Sequence, residues 1–239
     1  MAWGAMSDVA RSRLTARTVR LIASRFPPIG VFDDIAGSEA DLRAAFELEE
    51  LTNTRLMAAT RLRQIPGGEV AHGAPGASLI MAAFLHASES GGRFTDGRLG
   101  GWYAATEIEV ALAETVYHHE RRLRASAEGF PARIQMRELV AAFDAEFLDL
   151  RGLQASHPDL YHANDYAGSQ AFAAARRWPF ATAAEAGVIY DSVRRPGGVN
   201  LCVWRPVSVP MPVEQGDHFD YVWDAGGKLS IVKLTSVAI

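Results

Sequence analysis

The segment Gly92-Arg93-Phe94-Thr95-Asp96-Gly97-Arg98-Leu99-Gly100-Gly101-Trp102-Tyr103-Ala104-Ala105-Thr106-Glu107-Ile108-Glu109-Val110-Ala111-Leu112-Ala113-Glu114 carries three features in order. An arginine sits in a glycine-rich run, a short aromatic strand follows at Trp102 and Tyr103, and a helix then brings a carboxylate. Thr106-Glu107-Ile108-Glu109 reads as a capping box, with Thr106 at the N-cap and Glu109 three residues on. The helix is expected to run to about Arg124, where its basic end suits the negative pole of the macrodipole. A guanidinium, an aromatic face and a carboxylate gathered this way suit a phosphorylated, ring-bearing ligand. They point to a nucleotide rather than to a metal or a nucleic acid.

Outward from this segment the chain mixes helices and strands. Ser78 to His86 reads as a helix or a buried segment, and Ser169 to Arg177 as a helix. Val188-Ile189-Tyr190 and Leu201 to Trp204 read as strands joined by a turn at Pro196-Gly197-Gly198. Late strands are expected at Tyr221-Val222-Trp223 and Leu229 to Leu234, joined through Gly226-Gly227. Two helices are expected before the core: one from about Asp8 to Arg25, ended by Phe26-Pro27-Pro28, and one from Ser38 through Leu42, Phe46 and Leu51. Ser38-x-x-Asp41 resembles a capping box. The glycine-rich passage Pro66 to Gly76 suggests a boundary between an N-terminal helical extension (1–70) and the main domain (71–239). With no regular βαβ alternation, the class is α+β.

Composition narrows the function. The 239 residues are 49% apolar and 22% charged, which allows one sizeable core. A net charge of -4 and a pI near 6.0 give no basic field for a nucleic acid. The arginine clusters Arg121, Arg122 and Arg124, Arg176 and Arg177, and Arg194 and Arg195 read first as solvated faces. Cys202 is the single cysteine, so no intrachain disulfide forms; a reducing compartment and a buried, inert thiol are expected. Met1 to Phe26 holds five arginines but no apolar core of signal-peptide length. The run Ala77 to Leu85 is too short to span a bilayer. A cytoplasmic protein without membrane contact is the expectation.

Several chemistries lack their motifs. No two glycines stand two positions apart, which excludes the dinucleotide fingerprint G-x-G-x-x-G. Gly227-Lys228 is followed by Leu229, so there is no Walker loop, and G-x-S-x-G does not occur. His119-Glu120 begins a zincin motif, but Leu123 stands where the second histidine belongs. Glu114 and His118 share a helix face without a third ligand, so no metal is expected.

On a helical wheel at about 100° per residue, Ile108, Leu112, Thr115, Val116 and Leu123 form the core-facing stripe. Glu114 lies roughly 150° from its centre by the same geometry. Taken alone, that is a solvent-facing glutamate. Val110 and Tyr117 share its side, however, so the helix reads as covered on both faces, with Glu114 at a cleft. Arg93 after two glycines reads as a surface residue or as a phosphate contact. Tyr103 reads as core, and Ser192 as a strand-end hydroxyl.

Gly92-Arg93-Phe94, Trp102-Tyr103-Ala104-Ala105 and Ala111-Leu112-Ala113-Glu114-Thr115 resemble the first half of the RES domain. Gly187-Val188-Ile189-Tyr190-Asp191-Ser192-Val193-Arg194, then Gly197-Gly198 and Leu201-Cys202-Val203-Trp204-Arg205-Pro206, resemble its second half. The family's arginine, glutamate and serine correspond to Arg93, Glu114 and Ser192, and its active-site tyrosine to Tyr103. The resemblance covers about Gly73 to Trp223. It implies an ADP-ribosyltransferase-like α+β core with a split, twisted sheet flanked by helices. It also implies a toxin of a bacterial toxin–antitoxin pair, inhibited by a small helix-turn-helix antitoxin that covers the site.

The substrate the resemblance implies is NAD, cleaved at the nicotinamide–ribose bond. The ADP-ribose would pass to phosphate or water, or alternatively to a protein target; the sequence leaves the acceptor open. Glu114 would serve the ribose and the developing cation, and Arg93 a pyrophosphate oxygen. Tyr103 would pack against nicotinamide or ribose. Ser192 would bond the ribose or fix the arginine, and Arg194 would be a second phosphate contact. The opposing reading is an interaction module with a vestigial cleft.

Overall fold

The structure is a computed structural model that describes residues 9–25, 37–41, 56–127, 129–181 and 185–235. Its strands are β1 (Arg11–Ala23), β2 (Trp102–Ala105), β3 (Ala132–Asp149), β4 (Gly187–Asp191), β5 (Val199–Val203), β6 (Glu214–Trp223) and β7 (Leu229–Leu234). Its helices are α1 (Leu56–Arg63), α2 (Ala77–Leu85), α3 (Ile108–Ala125) and α4 (Ala167–Ala174). Mixed α+β is the class, as expected.

The expected helix from Asp8 to Arg25 is instead β1. Arg11, Arg13, Thr15 and Arg17 are exposed and alternate with the more buried Ser12, Leu14, Ala16 and Thr18. That period of two belongs to a strand, whereas a helical turn would scatter the arginines around its axis. All 13 residues of β1 pair antiparallel with β3, from Arg11 opposite Leu148 to Ala23 opposite Met136. The first segment of the N-terminal extension is therefore part of the main sheet. Ser38 and Asp41 do form the expected reciprocal cap, each backbone N–H donating to the other's side chain at 3.2 Å. Leu42, Phe46, Leu51 and Phe26-Pro27-Pro28 lie outside the described residues.

The longest strand, β3, is one the motif reading passed over. Leu139, Ala141, Phe143 and Phe147 point into the core at alternate positions. Its pairing with β1 runs without a shift, and the extra residue where its pairing with β6 slips, between Arg137 and Leu139, lies on β6. The face of β3 that is covered nevertheless switches, from even-numbered Ile134 and Met136 under α3 to the odd positions from Leu139 onward beneath α1 and α2. That switch interrupts the alternation a sequence pattern would show.

The sheet order is β1-β2-β5-β4-β3-β6-β7, with β1 also paired to β3. β1, β2, β5, β4 and β3 thus close on themselves, and β6 and β7 extend outward from β3. The closure is thin at two places. β1 meets β2 only at Val19 opposite Ala105, and β3 meets β4, in parallel, only at Leu148–Val188 and Asp149–Ile189. Between these seams the ladder β7-β6-β3-β1 splits from the ladder β2-β5-β4.

Three groups of apolar side chains fill the layers. α1 and α2 cover one side, where Ile80 and Phe84 meet Trp102, Phe143 and Leu201. α4 places Phe172 against Phe94, Tyr190 and Trp204. α3 lies over β1 and β2, with Val110 and Leu123 among Leu21, Ala105 and Tyr221. Fully burying each such side chain contributes roughly 1.5–3 kcal/mol before chain entropy is counted. α3 is covered on both faces, as expected, but its centre of burial is displaced: Val110 and Ala111 are buried while Ile108, Leu112 and Val116 are only partly so. The β4–β5 turn explains this, because Gly198 lies directly against the Val110 methyls.

Thr106 does not cap α3. The N-cap residue is Glu107, without a side-chain cap, and the Thr106 hydroxyl donates to the Val199 carbonyl of β5 at 3.4 Å. Among the described residues no helix is long and apolar enough to cross a membrane.

Candidate active site

The glycine run before Arg93 is shaped by a neighbour as much as by any ligand. Gly91 takes a positive φ of 69°, and a Cβ on Gly92 would stand 2.7 Å from the Tyr103 Oη. That hydroxyl accepts the Phe94 N–H at 2.9 Å and pairs with the Thr95 hydroxyl at 3.0 Å. The Gln170 side-chain amide, from α4, donates to the carbonyls of Ser90, Gly92 and Thr95 at 2.8, 3.0 and 3.2 Å. The turn is thus tied to both β2 and α4, which sets the direction in which Arg93 leaves it.

Arg93 is 6% exposed. Its Nη1 donates to the Leu160 and His162 carbonyls, both at 2.9 Å, and its guanidinium stacks on Tyr166 at 4.7 Å. Nε and Nη2 have no protein acceptor among the described residues. A guanidinium braced through one nitrogen and free at the others is suited to a phosphate oxygen.

Glu114 is held from the opposite side. Its Oε1 accepts the Ser192 hydroxyl and the Asn200 amide, each at 2.7 Å. Ser192 Oγ in turn accepts the backbone N–H groups of Arg194 and Arg195 at 3.1 Å. With both acceptor sites of the hydroxyl committed to the β4–β5 turn, its one hydrogen is directed at Glu114. Oε2 has no protein donor among the described residues.

Arg93, Tyr103 and Glu114 line one cavity of about 230 Å³, together with Arg20, Tyr190 and Asn200. Arg20 reaches it from β1, donating to the Tyr103 carbonyl at 3.0 Å and lying over Trp102 at 5.1 Å. Burial lowers the Arg20 pKa to about 10, so it stays charged at neutral pH. Burial likewise raises Tyr103 and Tyr190 well above the usual phenol range, keeping both neutral. The cavity therefore offers two cations and one carboxylate across neutral aromatic walls. Among the described residues no group of three or more His, Cys, Asp and Glu gathers at a metal-binding distance. Cys202 is buried nearby, its thiol pushed up to about 12 chiefly by burial.

Arg93, Tyr103 and Glu114, distant in sequence, are thus brought together. Ser192 stands behind Glu114 instead of lining the cavity, and it braces the glutamate rather than the arginine. Arg194 also stands outside the wall: its guanidinium donates to the Ala163 carbonyl and packs over Tyr117 at 3.4 Å. Arg20 and Asn200 were not visible as site residues. Asn200 left a signal, since an amide inside the apolar run Val199-Asn200-Leu201-Cys202-Val203 must find a buried partner. Arg20 left none beyond the alternation of its strand.

The sequence model of the RES domain matches residues 70–224. The uncharacterised protein y4oC of Sinorhizobium fredii (strain NGR234) is 29% identical over 221 residues, which cover 89% of this chain and 85% of the relative. Among solved structures, the crystal structure of the M. tuberculosis MbcT–MbcA toxin–antitoxin complex matches at a TM-score of 0.44 and 16% identity, covering 88% of this chain and 86% of that chain.

Proposed function

Because the chain belongs to the RES domain family, we propose that it consumes NAD, cleaving the nicotinamide–ribose bond and passing ADP-ribose to phosphate or water. The observation that carries this reading is the meeting of Arg93 and Glu114 in one cavity, with Glu114 braced by Ser192 and Asn200. In the same reading the protein is the toxin of a toxin–antitoxin pair, and a small helix-turn-helix antitoxin blocks the cavity mouth.

Nicotinamide leaves as a neutral pyridine, so no acid is required. The demand is instead for orientation of the ribose and stabilisation of an oxocarbenium-like transition state. Glu114 meets it: Oε1 is fixed by two donors, and Oε2 serves the ribose hydroxyls and the positive charge growing at the anomeric carbon. Arg93 holds the pyrophosphate through its free N–H groups, and Arg20 adds a second positive charge from β1. Tyr103 supplies an apolar wall, since its hydroxyl is already committed to the Arg93 turn.

The test is incubation of the purified protein with NAD, with and without phosphate, following nicotinamide release by chromatography. Mass spectrometry of the products separates free ADP-ribose or its 1″-phosphate from a modified protein. Release is expected from the native protein and not from Glu114→Gln. An equally active Glu114→Gln protein overturns the assignment.

A further inference from the structure

The cavity of about 230 Å³ is smaller than the ~300–1,000 Å³ of pockets that enclose most of a drug-sized ligand. A dinucleotide whose ribose meets Glu114 must therefore continue beyond it. A second, more open hollow of about 600 Å³ adjoins the cavity, and the two share His118 and Tyr166. Its walls carry Ser88, Ser90, Arg121, Asn164, Asp165 and Gln170. A further basic hollow, lined by Arg25, His119, Arg122 and Arg133, shares Arg122 with this one but no residue with the cavity.

The helix provides a ruler between the two ends. Glu114, His118 and Arg121 lie at i, i+4 and i+7, one face of α3, and Arg121 stands roughly 10 Å along the axis from Glu114. Arg93 joins the compartments from the other side, since the Tyr166 ring it stacks on belongs to both. His118 sits at the neck. Its imidazole is held below its usual value by desolvation; Glu114 opposes that shift, and Arg194, Arg121 and Arg93 add smaller contributions to it. The neck thus lies between the Glu114 carboxylate and the Arg93, Arg121 and Arg194 guanidiniums.

The geometry points to the hollow bounded by Tyr166, Arg121 and Asp165 as the subsite for an adenosine 5′-monophosphate group, the second half of the dinucleotide. Arg121 would take the adenylate phosphate. Asp165, the carboxylate of this wall, accepts the Ala167 N–H through Oδ1 at 2.9 Å and has its second oxygen available for ribose hydroxyls. Ser88, Ser90 and Asn164 supply hydroxyl and amide groups for the base edge. Gln170 ties this wall to the Arg93 turn, so the compartments are held in fixed relation.

This inference rests on the dinucleotide reading, but its test does not require cleavage. Adenosine 5′-monophosphate is titrated calorimetrically into the full chain and into Arg121→Glu, whose exposed position on α3 leaves the core intact. Binding to the native protein, weakened about tenfold or more in Arg121→Glu and partly restored in Arg121→Lys, is expected from loss of a charge-assisted contact. The KM for NAD should rise by a similar factor in Arg121→Glu, with kcat within about twofold. No binding to the native protein, or equal binding to Arg121→Glu, overturns the subsite. Arg121-dependent binding in a protein that releases no nicotinamide supports the subsite and overturns the reaction.

Discussion

The Ser192 hydroxyl donates to Glu114 Oε1 at 2.7 Å, and its direction is imposed by two backbone amides of the β4–β5 turn. A turn between two strands thereby orients a carboxylate on a helix 78 residues earlier in the chain. Ser192→Ala leaves the carboxylate held by Asn200 alone and the Arg194 and Arg195 amides without that acceptor. The expected result is a fall in kcat of about 10–100-fold and a stability loss of about 1–3 kcal/mol. Nicotinamide release and thermal unfolding measure the two separately; native kcat in the variant excludes the positioning role.

Asn200 provides the second donor to the same oxygen. Asn200→Asp replaces it with a carboxylate facing a carboxylate, and one of the two must then hold a proton at neutral pH. Activity should drop and acquire a new dependence on pH that the native enzyme lacks. A pH–rate profile parallel to the native one argues against this contact in the working enzyme.

Arg20 enters the cavity from a strand outside the residues matched by the family, 70–224. A fragment limited to 70–224 loses β1, and β3 then presents a long unpaired edge. Such an edge favours aggregation. The fragment is expected to be insoluble or to elute as large species in size-exclusion chromatography, and a folded monomer of native thermal stability would refute this. In the full chain, Arg20→Met should raise the KM for NAD about tenfold, by loss of a charge-assisted contact.

Tyr103→Phe removes the hydroxyl that accepts the Phe94 amide and pairs with Thr95. Leaving those groups unpaired in a buried site costs about 1–3 kcal/mol. Gly92→Ala should be worse for activity than for stability, because its methyl drives the Arg93 turn away from the same hydroxyl. Thermal melts and steady-state kinetics on both variants test the ordering.

His119, on α3, lies against Tyr221, and its pKa is lowered to about 4 by burial first, then by Arg122, His118 and Arg25. Between pH 6.5 and about 4 the unfolded chain binds a proton that the folded chain refuses, so stability rises with pH across that window. Acidification through it should lower the denaturation midpoint, and His119→Gln should flatten that slope. An unchanged slope would show that His119 is not the group responsible.

Much of the fold was legible locally. The β4–β5 hairpin, with its Gly197-Gly198 turn, and the strand–helix unit from Trp102 through α3 follow from residues adjacent in the chain. β1 was legible too, through the alternation of Arg11, Arg13 and Arg17 with Leu14 and Ala16, but its arginine-rich composition invited a helix instead. β3 was obscured because its covered face changes partway, the even side at Ile134 and Met136 and then the odd side from Leu139, which breaks the single apolar stripe of period two on which the eye relies.

The chain's own order of residues determined the mixed class, the element that carries Glu114, and the pairing of a guanidinium with a carboxylate as the chemistry to look for. Only the closed arrangement of strands decided that Arg20 joins Arg93, that Ser192 and Asn200 converge on Glu114, and that Arg194 turns away. Those outcomes depend on strand pairing and on hydrogen bonds between residues far apart in the chain. Local propensity carries no information about which distant donor reaches a buried oxygen; that is settled when the sheet closes and each buried polar group takes the partner left within reach.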